Sequence, residues 1–184
     1  MNLKSMIKVS KFMSYAYALR HKPADAGIVL GDQGWVSLED IIVAINKNGF
    51  SVSLHDIHKI VESNDKKRFA LSDNGKFIRA SQGHSFKGVN IQYHDVEPPE
   101  FLFHGTATRF KKSIFEKGLI AGERHHVHLS QNLETAISVG RRHGEPIVLK
   151  VDAKKMHQSG FKFYLSDNDV YLVDFVPFHF LSIF

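Results

Sequence analysis

Residues 122–130, GERHHVHLS, place one arginine and three histidines within nine positions. The end of this stretch alternates as a β-strand does, so His126 and His128 would share a strand face that His125 does not. Imidazoles this close together can bind a metal, transfer protons or contact an anion. A metal site needs three or four ligands, and no Glu-x-x-His pattern lies nearby, so we expect no metal. Two interpretations stay open: histidines without a ligand, and contact with an anion beside Arg124.

Two basic clusters lie in the first half of the chain. Residues 19–23, LRHKP, end a predicted helix, where cations stabilise the helix dipole and proline stops the helix. The same residues could form an anion site, with Arg20 binding a phosphate through two hydrogen bonds and His21 adding a donor. Residues 64–69, NDKKRF, open a predicted hairpin, either as a solvated turn or as the part of a nucleic-acid-binding wing that contacts phosphates.

The fourth cluster, Phe103-His104-Gly105-Thr106, predicts a strand that enters a glycine turn before a helix. Such a turn would place backbone N–H groups and a hydroxyl where the ribose and phosphates of a nucleotide could bind. The dinucleotide fingerprint with three glycines is absent, which argues against a Rossmann site. The chain also has no P-loop, no Ser-His-Asp elbow and no cysteine nucleophile.

The elements that must position these residues begin with a helix over residues 7–19. The apolar residues expected on one face of this helix are Ile7, Phe12, Tyr15 and Leu19. Ser37 and Ser53 are predicted to cap two further helices, and Gly49 to end the first of the two. The core residues expected on these helices are Ile41, Ile42, Ile45, Leu54, Ile57, Ile60 and Val61.

Residues 67–81 predict a β-hairpin around Asp73-Asn74-Gly75, a sequence typical of tight turns. Three helices followed by a hairpin are the element order of a winged helix, a frequent nucleic-acid-binding fold. Residues 95–100, DVEPPE, predict a linker, because paired prolines cannot continue a helix or a central strand. We therefore expect two lobes, residues 1–94 and residues 95–184.

The second lobe is predicted to mix short strands and helices, an α+β arrangement. The strands are expected at 101–104, 126–129, 147–151, 161–165 and 171–176, and the helices at 108–117 and 133–139. The chain of 184 residues carries a net charge of +5, which favours a polyanionic partner such as nucleic acid. The first eleven residues carry three lysines and no sustained apolar run, so we expect no signal peptide. No apolar run is long enough to cross a membrane, and the absence of cysteine fits a cytoplasmic location.

A set of motifs, in this order, resembles the RNA 2′-phosphotransferase (KptA) family over residues 11 to 176. The motifs are LRHKP, GWV at 34–36, NDKKRFALS, IRASQGHS, FHGTA, GLIAGERHHVHLS and VGRRHG followed by PIVL. One departure is visible: the family usually reads SKFLSxxLRH, whereas this chain reads SKFMSYAYALRH, two residues longer. The resemblance implies a winged-helix RNA lobe, residues 1–94, followed by an ADP-ribosyltransferase-like NAD lobe, residues 95–184.

The resemblance implies a reaction in two steps. An internal RNA 2′-phosphate attacks C1″ of the nicotinamide ribose of NAD and expels nicotinamide. The 2″-hydroxyl of the ADP-ribose then attacks the phosphorus and releases 2′-OH RNA and ADP-ribose 1″,2″-cyclic phosphate. The partners would be NAD as co-substrate and an RNA carrying an internal 2′-phosphate, as at a tRNA splice junction, with no membrane and no obligate protein partner.

By position, the catalytic set of the family falls on Arg20, His21, Arg68 and Arg124. The three arginines would bind the transferred phosphate, and His21 would donate a proton or hydrogen bond. The residues that would line the NAD pocket are His104, Gly105, Thr106, His128 and Ser130. Two alternatives stay open: an ADP-ribosyltransferase that stops after the first step, acting on nucleic-acid phosphates or protein, and a winged-helix binding module without catalysis.

Overall fold

The computed structural model of the chain describes residues 1–16 and 19–184, with side chains described for 1–14 and 19–184. The chain forms two compact units, Met1–Gln92 and Tyr93–Phe184. Both combine short helices with small antiparallel sheets, so the α+β class is confirmed. The boundary predicted after residue 94, with the function assigned to each side, stays a prediction. No helix in the described ranges has the length and apolar character needed to cross a membrane.

In the described part of the first unit, the chain forms three α-helices and one three-stranded sheet. The elements are α1 (Leu3–Lys11), a π-helical stretch (Phe12–Ala16), β1 (Val36–Ser37), α2 (Leu38–Lys47), α3 (Leu54–Glu62), β2 (Phe69–Leu71) and β3 (Phe77–Ala80). The strand order is β1-β3-β2, and both pairings are antiparallel. The hairpin predicted over 67–81 is confirmed as β2 and β3, with Gly75 in its turn at φ +66°.

The two predicted serine caps are confirmed. The Ser37 hydroxyl accepts a hydrogen bond from the backbone N–H of Asp40 at the start of α2, and Gly49 follows the helix end at φ +87°. Ser53 caps α3 through a full capping box, because Asp56 in turn accepts from the backbone N–H of Ser53. These bonds satisfy N–H groups that have no partner within the helix.

The apolar face predicted for the first helix is wrong at Ile7, whose side chain is 49% exposed. The helix begins at Leu3 and buries Val9 instead, and the π-helical stretch that follows it buries Met13. Leu19 is buried as predicted, whereas the side chain of Tyr15 lies outside the described residues. Leu54, at the first position of α3, is 50% exposed rather than in the core. The fully buried large residues of this unit are Met13, Leu19, Ile41, Ile45, Ile57, Ile60 and Ile78.

The second unit consists of three small sheets with short helices packed on them. The elements are β4 (Phe101–Ala107), α4 (Lys111–Lys117), β5 (Leu119–Ile120), β6 (Val127–Leu129), α5 (Leu133–Gly140), β7 (Pro146–Asp152), α6 (Ala153–Gln158), β8 (Tyr164–Leu165), β9 (Tyr171–Val173), β10 (Phe175–Val176) and β11 (Leu181–Ile183). The sheet orders are β11-β7-β4, β6-β9-β8 and β10-β5. Its core includes Leu102, Leu129, Leu149, Val151, Met156 and Phe163.

Two strand predictions for the second unit are wrong in extent. The run 171–176 divides into β9 and β10, because β9 pairs with β6 while β10 pairs with β5 in a different sheet. The chain changes partner at Asp174, whose side chain is 81% exposed. The run 161–165 forms a strand only at Tyr164–Leu165.

The glycine turn predicted within Phe103–Thr106 is also wrong, because β4 continues through Gly105 to Ala107. Each residue of β4 pairs with β7, and Gly105 stands opposite Val148. A side chain at Gly105 would overlap the carbonyl oxygen of Ala136 in α5. The glycine therefore permits α5 to pack directly on the strand and does not end it.

Candidate active site

Arg20 and His21 lie in a turn that follows the buried Leu19, not within the last turn of a helix. The carbonyl oxygen of Arg20 accepts from the backbone N–H groups of Ser85 at 3.0 Å and Phe86 at 3.2 Å. The Nδ1 atom of His21 lies 2.8 Å from the Ser85 hydroxyl oxygen. The turn is thus attached by backbone and side chain to residues more than sixty positions later, which fixes the backbone from which both candidate side chains extend.

Arg68 immediately precedes β2 and is also attached at two points. The side-chain oxygen of Asn64 accepts from the backbone N–H of Arg68 at 3.4 Å and from its Nη1 at 3.3 Å. The Arg68 carbonyl accepts from the backbone N–H of Ser81 at 2.9 Å, and the Ser81 hydroxyl donates to the Lys67 carbonyl at 2.8 Å. The backbone N–H of Lys67 donates to the Asn64 carbonyl at 2.7 Å, and Lys67 has φ +41°, so a tight turn precedes the arginine.

One short segment holds both basic turns of the first unit. Ser81, at its start, binds the backbone of Arg68, and Ser85, at its end, binds Arg20 and His21. Four residue steps span at most about 14 Å even when fully extended. The structure therefore places three of the predicted catalytic residues along the length of residues 81–85.

His104 lies in β4 and is half-buried. Its Nδ1 lies 3.0 Å from the backbone carbonyl oxygen of His128, which can only accept, so Nδ1 carries the proton. Burial lowers the pKa of His104; the hydrogen bond to the His128 carbonyl opposes this shift, and the nearby charges of Arg124 and His143 add to it. The neutral ring therefore presents Nε2 as a hydrogen-bond acceptor, which suits a hydroxyl group such as that of a ribose.

Arg124 lies in the exposed turn before β6 and contacts the ring of His128. Its Nη1 is 3.3 Å from Nδ1 of His128, and because a guanidinium group can only donate, Nδ1 accepts. The backbone N–H of Arg124 donates to the Ala121 carbonyl at 3.3 Å. His104, His128 and Arg124 thus form a hydrogen-bonded series that runs from a buried strand to an exposed cation.

Gly105 and Thr106 are enclosed by α5. The Thr106 side chain is buried, and a Cβ placed on Gly140 would lie 2.8 Å from the Thr106 carbonyl oxygen. Paired glycines at 105 and 140 allow this close contact between strand and helix. The prediction that Gly105 and Thr106 contact NAD stays a prediction, and packing alone accounts for the glycine.

Ser130 connects the sheet of β6 to that of β4. Its backbone N–H and carbonyl both bond to Phe103 at 2.8 Å, forming an isolated bridge. Its hydroxyl accepts from the backbone N–H of Asn132 at 3.0 Å, next to the start of α5. Ser130 therefore directly follows β6 in the chain and pairs with Phe103, the residue next to His104 in β4.

His126 belongs to a separate aromatic cluster. Its Nε2 is 3.6 Å from an Asp174 carboxylate oxygen, and its ring lies edge-on to Tyr93 and Tyr164, with centroids 6.0 Å and 5.8 Å away. Burial lowers the pKa of His126, whereas Asp174 partly opposes that shift. Among residues 1–16 and 19–184, no three His, Cys, Asp or Glu side chains are grouped as metal ligands.

Three residues near the candidate site were given no individual role from the sequence. Ser85 contacts His21, Asn64 contacts Arg68, and His143 lies close enough to His104 to affect its pKa. Ser85 and His143 stand in the motifs IRASQGHS and VGRRHG, so the signal was present as a motif without an assigned role. Their contacts join residues far apart in the chain, which spacing alone does not indicate.

Comparison with known proteins gives one consistent family. Residues 4–175 match the sequence model of the "RNA 2'-phosphotransferase, Tpt1 / KptA family". A "Probable RNA 2'-phosphotransferase" of Pseudomonas syringae pv. tomato is 47% identical over 99% of this chain and 96% of its own length. Proteins of the same description from Pseudomonas fluorescens and Pectobacterium atrosepticum are 50% and 48% identical over 99% and 97% of this chain, and 99% and 98% of their own lengths. The resemblance stated from the motifs is thereby confirmed: the chain belongs to the RNA 2′-phosphotransferase family, Tpt1 / KptA.

Proposed function

We propose that this protein is an NAD-dependent RNA 2′-phosphotransferase that acts on RNA with an internal 2′-phosphate. The observation that carries the proposal is the hydrogen-bonded series of His104, His128 and Arg124 in a chain of this family. It combines an acceptor suited to a ribose hydroxyl with a guanidinium group suited to a phosphate. NAD is a substrate in this proposal, consumed in each turnover.

In the first step, a 2′-phosphate oxygen forms a bond to C1″ while the bond from C1″ to the nicotinamide nitrogen breaks. Nicotinamide leaves as a neutral molecule and needs no general acid. The phosphate is already anionic, so no carboxylate base is required to activate it. The demand on the protein is charge neutralisation, which Arg20, Arg68 and Arg124 would provide.

In the second step, the 2″-hydroxyl gives up its proton as its oxygen bonds to phosphorus, and the bond from phosphorus to the RNA 2′-oxygen breaks. The departing 2′-oxygen takes up a proton, and the products are 2′-OH RNA and ADP-ribose 1″,2″-cyclic phosphate. His21 is the group that would supply this proton or a hydrogen bond, because imidazole exchanges protons near neutral pH.

The distribution of charge supports RNA binding by the first unit. Residues 1–92 contain 13 Lys and Arg against 8 Asp and Glu, whereas residues 93–184 contain 11 of each. The entire excess of +5 therefore belongs to the first unit, where a polyanion is expected to bind. Three helices and a three-stranded sheet that contains a hairpin support the winged-helix proposal for this unit. We assign the ADP-ribosyltransferase-like NAD lobe to the second unit on the family resemblance.

The experiment uses an oligoribonucleotide with a labelled internal 2′-phosphate, incubated with the full chain, with and without NAD. We expect label in ADP-ribose 1″,2″-cyclic phosphate only when NAD is present, with one nicotinamide released for each label transferred. An Arg20→Ala variant should lose this transfer, and an RNA without the 2′-phosphate should release no nicotinamide.

Other products would identify the alternatives. Free labelled phosphate without NAD would overturn the proposal and indicate a phosphatase. Label that stays on an RNA–ADP-ribose adduct would indicate an ADP-ribosyltransferase that stops after the first step. RNA binding without consumption of NAD would indicate a winged-helix binding module.

A further inference from the structure

Ser85 stands beside His21, and no role has been given to it so far. We propose that Ser85 is the positioning residue of His21: its hydroxyl orients the imidazole so that Nε2 delivers the hydrogen bond or proton needed in the second step. This inference rests on the proposed function, because it assigns a partner to a residue of that reaction. It requires only contacts within the first unit.

Ser85 is linked to the turn of Arg20 and His21 by two hydrogen bonds, one from its backbone and one from its side chain. The backbone N–H of Ser85 donates to the carbonyl of Arg20 at 3.0 Å, and the Ser85 hydroxyl oxygen lies 2.8 Å from Nδ1 of His21. The backbone bond fixes the position of Ser85 relative to the turn. The contact between the Ser85 hydroxyl and Nδ1 then restrains both the position and the plane of the His21 ring. Both side chains are half-buried, so water competes only partly for the bond.

A hydroxyl is chemically suited to this position because it can both donate and accept. When the ring is neutral, Ser85 can donate to Nδ1, and Nε2 then carries the proton that a phosphate oxygen accepts. When the ring is charged, Nδ1–H donates to the Ser85 oxygen, and this bond persists after Nε2 gives its proton to the RNA 2′-oxygen. Ser85 therefore supports His21 before and after proton transfer.

His104 provides a contrast within the same chain. Its Nδ1 faces a backbone carbonyl, which can only accept, so the neutral ring has its proton on Nδ1. A carbonyl beside His21 would leave neutral Nε2 without a proton and unable to donate to a phosphate. The different partners of the two rings match the different tasks proposed for them: accepting from a ribose hydroxyl and donating to a phosphate.

The decisive test compares Ser85→Thr with Ser85→Val, two side chains of the same shape that differ by a hydroxyl. We expect Ser85→Thr to keep the native rate of the second step within about threefold, whereas Ser85→Val loses about tenfold or more, the scale of one lost hydrogen bond. The RNA–ADP-ribose adduct should accumulate with Ser85→Val, and the KM for NAD should not change. Equal second-step rates for the two variants would overturn the inference.

A second measurement separates positioning from a general effect on folding. In a background of His21→Ala, introducing Ser85→Val should cause no further loss in the second step, because the residue through which Ser85 acts is absent. Additive losses would mean that Ser85 does not act through His21. The matched control is Ser166→Ala, which removes a buried hydroxyl that contacts the backbone of Val170 in the other unit. It should lower thermal stability without causing the adduct to accumulate.

The same assays distinguish the two levels of proposal. If the unaltered protein transfers no label from RNA to ADP-ribose, the proposed function fails and Ser85 has no reaction to support. If the unaltered protein completes both steps and Ser85→Val does so at the native rate, the function stands and only the role of Ser85 is refuted.

Discussion

At the scale of single residues, Arg124 is expected to require its guanidinium group and not only its charge. The group has five N–H donors, so it can donate to His128 and still bind a phosphate through two parallel bonds, which a lysine cannot do. We therefore expect Arg124→Lys to be almost as impaired as Arg124→Ala. The loss should be on the order of 3 kcal/mol in transition-state stabilisation, roughly a hundredfold in kcat/KM. A lysine variant with a near-native rate would show that only a cation is needed.

The half-buried His104 should make the stability of the protein depend on pH. The pKa of this histidine is lowered on folding from about 6.5, so the unfolded chain binds a proton more readily than the folded one. The contribution of neutral His104 to the free energy of unfolding is fully present above about pH 6.5. It decreases as the pH falls towards the folded-state pKa of this histidine.

We expect the free energy of unfolding of the native protein to decrease, relative to His104→Asn, between pH 7 and pH 5. Asparagine can still donate to the His128 carbonyl but does not titrate. His126, whose pKa burial also lowers, contributes a similar trend to both proteins, so their difference isolates His104. Urea denaturation at several pH values measures the difference in the free energy of unfolding between the two proteins. If this difference did not change with pH, the prediction would be contradicted.

At the scale of elements, the contact between α5 and β4 depends on Gly105. A methyl group there would overlap the Ala136 carbonyl, so helix and strand would have to separate. We expect Gly105→Ala to cost at least about 2 kcal/mol, measured by denaturant unfolding. The control is Gly160→Ala, at φ +95° with no atom within 4 Å, where only the backbone preference costs about 1 kcal/mol. Equal losses would show that the close contact is not what Gly105 is needed for.

Elements with local signals could be predicted from the sequence, and those that depend on distant partners could not. Ser37 and Ser53 predicted the starts of α2 and α3 correctly, because a cap and its helix are adjacent in the chain. The split of 171–176 depends on which strands lie beside it, β6 or β5, and these are more than forty residues away. The exposed Ile7 reflects a helix that begins earlier and becomes π-helical at Phe12, which apolar spacing does not indicate.

In the candidate site, too, some features could be predicted from the local sequence and others depend on distant contacts. The residue types suggested anion binding, but the assignment of roles came from the family resemblance and not from spacing. The contacts of His21 with Ser85 and of His104 with His128 span 64 and 24 positions, so only the folded chain reveals them. Gly105 was interpreted as a phosphate-binding turn, whereas its conformation is extended and its small size admits a helix.

At the scale of the whole molecule, the unequal charge of the two units predicts how salt affects each substrate. If the first unit binds RNA and the second binds NAD, as proposed, RNA on the unit with an excess of +5 would release counterions, whereas NAD on the unit of balanced charge would release few. If the first unit neutralises about three phosphates, a fourfold increase in salt should raise the KM for RNA roughly twentyfold.

The KM for NAD should change by less than about threefold over the same fourfold increase in salt, since NAD binding lacks this counterion release.

Two exposed lysines, one in each unit, offer a matched pair for the measurement. Lys66→Ala, in the basic run before β2, should reduce the salt dependence of the KM for RNA, because one counterion fewer is released. Lys154→Ala, in α6 of the balanced unit, should leave that dependence unchanged. Steady-state kinetics at 50 and 200 mM potassium chloride provide the comparison. Equal increases in both KM values, or equal effects of the two lysine variants, would contradict the assignment of RNA to the first unit.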